Sequence, residues 1–135
     1  GAGSTLAVWD VRQDCITEHD RRHELVRDYL VAGDPARERA VAAALRPILE
    51  AFMRVAYPAA FPPGFLLGPF IGLCQQRAGA GNQILTAHDT AELRALLDYA
   101  NRFHHDTNAA WETAAINDQE LSHFCERTLA FAQRT

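Results

Sequence analysis

Apolar residues recur along this chain at intervals of three and four positions, and nowhere alternate with polar ones for long enough to make a strand. From Thr17 to Leu30 the charged run EHDRRHE leads into Leu25, Val26, Tyr29 and Leu30, which share one helical face. Gly33 is placed to end that helix in a left-handed cap, and Asp34-Pro35 supplies an N-cap followed by a proline whose missing N–H is not needed. A second helix is expected from Pro35 towards Tyr57 on Val41, Leu45, Ile48, Leu49 and Phe52. Pro47 interrupts its backbone bonding and predicts either a kink or a break with a new helix starting there. YPAAFPPG, residues 57 to 64, is a loop, and a shorter apolar helix from about Pro69 to Arg77 is closed by AGAGN. The fourth helix begins near Thr86 to Asp89, with Asp89 and Glu92 in capping-box spacing and Leu93, Leu96, Leu97, Ala100 and Phe103 as its stripe. Asn117 and Glu120 open the last helix, whose inner face is Leu121, Phe124, Cys125, Thr128 and Ala132. The expected fold is all-α, a compact bundle of about five helices.

With 135 residues, 48% of them hydrophobic, the chain can bury one sizeable core. Residues 1–4, Gly-Ala-Gly-Ser, read as an expression scar, and residues 5–135 as a single helical domain. No apolar run approaches the roughly 18 residues of a membrane span and no signal-peptide pattern is visible, so a soluble cytoplasmic protein with no membrane partner is expected. Cys15, Cys74 and Cys125 lack both disulfide and zinc spacing, and two of them fall on apolar helical faces as small buried hydrophobes. A net charge of -4 does not suit general nucleic-acid binding, which draws on a basic excess, so any RNA activity has to rest on a local patch.

Two stretches carry candidate chemistry. In NRFHHDTN, residues 101 to 108, His104 continues the inward stripe of Leu97 and Ala100, whereas His105 falls in line with the polar Asn101, Asp98 and Arg94. Both imidazoles also suit a plain helix end, where the macrodipole favours cations. In RPILEAFMRVAYP, residues 46 to 58, Arg46 and Glu50 stand one turn apart on the edge of the apolar stripe, an intrahelical ion pair at the least. If a histidine of the fourth helix packs opposite them, a cation, a carboxylate and a proton carrier meet, which suffices for metal-free phosphodiester cleavage. No metal site is expected: the consecutive His104, His105 and Asp106 lack helical ligand spacing, and His19 and His23 have it without a third ligand. Trp111 offers a face for base stacking, and Arg54, Arg77, Arg94 and Arg102 could line an RNA path, although such residues more commonly pack in a loop or form a solvated face.

Taken together, ALRPILEAFMRVAYP, LLDYANRFHHDTN and INDQELSHFCERTLAF resemble the C-terminal region of large bacterial ATPases of the RloC and PrrC anticodon-nuclease type, over roughly residues 37 to 131. That resemblance implies a HEPN-like helical ribonuclease module. Its Arg-x3-Glu and downstream histidine fall on Arg46, Glu50 and His105, with His104 the near competitor. It further implies a homodimer, tRNA as partner and an ATPase region of the same polypeptide. No GxxxxGK[ST] occurs, so no cofactor is expected for this fragment and ATP only for a region outside it. The functional expectation is a metal-independent endoribonuclease that cuts a tRNA anticodon loop in phage defence and leaves 2',3'-cyclic phosphate ends. Its alternative is a non-catalytic accessory or dimerisation module that couples an ATPase to a partner.

Overall fold

Helix α1 (18–32) ends as its sequence dictates, in a computed structural model that describes residues 18–104 and 107–133. Gly33 takes φ 64°, and its N–H donates to the Tyr29 carbonyl at 2.8 Å. Val26 and Tyr29 are the fully buried part of the α1 face. Asp34 then accepts the Ala36 N–H on its carboxylate at 3.0 Å. The second α-helix does not begin at Pro35, where the sequence suggests it. A bond from the Arg37 N–H to the Asp34 carbonyl tightens Pro35–Arg37 into one 3-10 turn, and α2 proper is Glu38–Ala56.

Pro47 lies inside α2 without breaking it. A mid-helix proline costs about 3 kcal/mol. Leu45, Ile48, Leu49 and Met53 on either side of it are completely buried, each contributing roughly 1.5–3 kcal/mol. Burial therefore outweighs the lost hydrogen bond, and of the two outcomes expected at Pro47, a kink or a break, the break does not form. Helix α3 (Leu67–Gln76) starts before Pro69, which occupies the first turn, where its missing N–H has no intrahelical acceptor to serve. Helix α4 (Ala87–Ala100) is capped by Thr86, whose hydroxyl accepts the Asp89 N–H at 3.0 Å; Asp89 is thus the third residue of the helix and not its cap. Beyond Ala100 the chain tightens into a 3-10 turn, Asn101–Phe103. Helix α5 (Asp118–Ala132) opens as expected, with the Asn117 side chain accepting the Glu120 N–H at 2.9 Å.

The helices pack as an all-α bundle with no strand among the described residues. Helix α2 packs chiefly on α5, and α4 lies against α2, α3 and α5. One core cluster joins α1, the first half of α2, the end of α4 and α5 through Tyr29, Leu45, Ile48, Phe103 and Leu121. A second joins the rest of α2 to Phe61, α3 and the start of α4 through Leu49, Met53, Phe70 and Leu93. Phe124 of α5 packs against both. Helix α2 passes from one cluster to the other between Ile48 and Leu49, with Arg46 and Glu50 on either side of the crossover. No helix among the described residues is long and apolar enough to cross a membrane. Cys74 and Cys125 are buried free thiols, while Cys15, Thr17 and the four residues read as a scar lie outside the described residues.

Candidate functional site

Among the described residues Arg46 is the one buried arginine, 7% exposed. Its Nε donates to Glu50 Oε1 at 3.1 Å, and its Nη1 to Asn101 Oδ1 at 3.2 Å, with His104 Nδ1 at 3.5 Å from the same nitrogen. A guanidinium has donors only, so an imidazole nitrogen bonded to it must accept. That leaves the ring proton on Nε2, the nitrogen turned away from Arg46. Glu50 in turn meets a second arginine, with Arg54 Nη2 at 3.4 Å from Oε2. Helix α2 and the turn after α4 thus bring Arg46 and Glu50 together with Asn101 and His104, which the sequence places more than 50 positions further on.

The turn that carries His104 is held by its own polar residues. Thr107 Oγ1 donates to the Asn101 carbonyl at 2.7 Å and to the His104 carbonyl at 3.2 Å, and Asn108 Nδ2 donates to the Arg102 carbonyl at 2.9 Å. His104 has extended backbone, so it reaches Arg46 from a bonded corner and not from a prolonged α4. His105, the expected partner by resemblance, lies outside the described residues, as does Asp106.

The other nominated residues divide. Arg54 joins the corner through Glu50 and lies over the Phe61 ring at 5.3 Å. Arg102 turns instead to α5, pairing with Glu120 at 3.0 Å while its guanidinium covers the Tyr99 ring at 5.2 Å. Tyr99 stacks on Phe124, with centroids 4.1 Å apart and planes at 6°, and Arg127 covers Phe124 at 4.8 Å while pairing with Glu92. This ladder clamps α4 to α5. Trp111 is half-buried, and its carbonyl accepts from Arg39 Nη1 at 2.7 Å while Arg39 Nη2 reaches the Ala114 carbonyl at 2.7 Å. Asn101 and Arg39 were missed by the sequence reading. Among the described residues no group of three or more His, Cys, Asp or Glu is placed to hold a metal ion; His19 and His23 pack edge to face, with centroids 4.5 Å apart.

Elsewhere, burial is the main influence on the buried thiols and phenols. It pushes the Cys125 thiol up to about 12 and raises Cys74 and Tyr99, and it raises Tyr29 together with a hydrogen bond to Asp118. These residues are inert fixtures of the core at neutral pH.

The molecule is therefore a helical bundle with a partly buried arginine–carboxylate–histidine corner. No protein-family model matches the chain, and comparison with curated proteins and with solved structures finds no match either.

Proposed function

We propose that this chain is a metal-independent endoribonuclease module of a larger ATPase, acting on RNA of the tRNA anticodon-loop kind in phage defence. The observation that carries the proposal is the convergence of Arg46, Glu50 and His104. Glu50 accepts the proton of a ribose 2'-hydroxyl as its oxygen attacks the adjacent phosphorus. The bond from phosphorus to the 5'-oxygen breaks, and Glu50, now protonated, passes that proton to the leaving 5'-oxygen, which His104 Nε2–H holds by a hydrogen bond. The products are a 2',3'-cyclic phosphate and a 5'-hydroxyl. Positive charge from the arginines offsets the charge that builds on the phosphate oxygens. The same proposal makes the protein cytoplasmic and HEPN-like, working as a homodimer, with ATP bound only by an ATPase region outside this fragment.

One observation favours the accessory-module alternative: Arg46 directs Nε and Nη1 to internal partners and is nearly out of contact with solvent. Under that alternative the corner fixes the angle between α2 and the turn after α4, and does no chemistry. The two are separated by incubating the protein with total bacterial tRNA in EDTA and analysing the ends, beside Glu50→Gln, His104→Ala and His105→Ala. Cyclic-phosphate ends from the wild type, lost in folded Glu50→Gln and His104→Ala, are expected. Retention of activity in His105→Ala assigns the role to His104. No cleavage by this chain, nor by the longer protein with ATP, overturns the nuclease and leaves the accessory module.

A further inference from the structure

We infer that Arg54, and not Arg46, is the cation that meets the substrate's phosphate, and that Arg46 is a positioning residue acting through Glu50 and His104. This assignment rests on the nuclease proposal and deepens it. The two arginines share Glu50 but differ in what remains free. The Arg46 side chain is 8% exposed and directs Nε and Nη1 to Glu50, Asn101 and His104. The Arg54 side chain is 43% exposed and makes one long contact, 3.4 Å, to the Glu50 oxygen that Arg46 does not use. A phosphate reaching for Arg46 would have to displace partners that hold His104; one reaching Arg54 displaces none.

Charge and surroundings point the same way. Two guanidiniums and one carboxylate leave this edge of α2 with one net positive charge, suited to a single phosphodiester. Arg54 lies across the ring of Phe61, which is buried, so one side of its guanidinium faces a low-dielectric floor that strengthens its pull on an anion. Arg102 offers no such site, because Glu120 balances its charge. An RNA strand is thereby directed from the 101–104 corner along Glu50 and Arg54 towards the loop that carries Phe61, away from the α4–α5 ladder.

The test uses a single-stranded oligonucleotide of 2'-O-methyl RNA, which lacks the nucleophile, so that binding is read without cleavage. Fluorescence anisotropy from 50 to 200 mM KCl gives the affinity and its salt slope, and cleavable RNA gives kcat and KM. Arg54→Ala is expected to weaken binding about fivefold and to lower the salt slope by about 0.7, the loss of one phosphate contact on a single strand. Arg54→Lys restores the slope. Arg46→Lys is expected to keep both affinity and slope and to lower kcat about 100-fold at unchanged KM, since a point charge cannot hold three partners in a fork. Wild-type cleavage with the same slope in Arg54→Ala overturns the assignment and leaves the nuclease standing. An Arg54-dependent slope without any cleavage keeps Arg54 as an anion site and removes the nuclease. Absence of binding by the wild type overturns the assignment outright.

Discussion

Arg22 with Glu18 on α1 and Arg46 with Glu50 on α2 are the same pair by spacing, yet they do different work. The first is an outer-surface contact of 3.2 Å with side chains 33% and 66% exposed; the second, at 3.1 Å, has side chains 8% and 15% exposed. On an isolated helix the first has the better order, with the acid towards the N-terminus. Intrinsic helix preference therefore does not explain why the second is the tighter pair. Tertiary packing does: between the two core clusters α2 turns Arg46 inward, where Asn101 and His104 arrive from the end of α4. Burial turns an ordinary i, i+4 pair into a fixed support for an imidazole.

The comparison breaks most sharply at Glu50. Glu50→Ala strands a buried guanidinium and is expected to cost about 3 kcal/mol in urea unfolding, whereas Glu50→Gln keeps the shape and costs less. Asn101→Ala removes a hydrogen bond to a charged group and should cost about 1.5 kcal/mol. Glu92→Ala, which opens the partly exposed pair with Arg127 on the α4–α5 ladder, should cost about 1 kcal/mol. Glu18→Ala is expected to cost about 0.3 kcal/mol. Equal losses at Glu18 and Glu50 would remove the distinction between the pairs.

The buried thiols sharpen the same comparison independently of denaturant. Burial holds Cys125 up at about 12 and Cys74 above its ordinary value, so neither should react with a disulfide reagent at pH 8 in the folded chain. If labelling proceeds through global opening, Glu50→Ala should speed it about a hundredfold, and Glu18→Ala by less than twofold. For these thiols, and for Tyr29 and Tyr99, the folded pKa is raised. Their contribution to stability is therefore complete below the unfolded values of about 9 to 10 and is lost progressively above them, until the raised folded values are passed. Melting temperatures should fall over that range in wild type and Glu50→Ala alike, because none of these groups belongs to the Arg46 corner.

Much of this arrangement is legible in the residues themselves. Gly33 and Asn117 punctuate the helices as their chemistry requires, and the stripe Leu93, Leu96, Leu97, Ala100 and Phe103 is buried throughout. The start of α4 was ambiguous because Thr86 and Asp89 are both capping residues with an acid three positions on, and only the fold selects Thr86. Arg46 and Glu50 stood out by their place at the edge of an apolar stripe. Asn101 did not, because projecting α4 onwards as an α-helix assigns it to the polar side. The chain leaves α4 for a 3-10 turn there, and the Asn101 side-chain oxygen accepts from Arg46 Nη1 of the neighbouring helix, a partner that no projection of α4 alone reveals. Arg39 was invisible for another reason: its partners are the backbone carbonyls of Trp111 and Ala114, and carbonyl groups carry no mark of residue type.

Nitrogen-15 NMR of the histidine rings tests most directly whether the buried pair aims His104. With the His104 signal assigned by its loss in His104→Ala, the neutral ring should be a single tautomer protonated at Nε2, and that preference should relax in Arg46→Lys. A mixture of tautomers matching that of the exposed His88, unchanged by Arg46→Lys, would show that Arg46 does not hold the ring and that the corner is an ion pair with a histidine nearby.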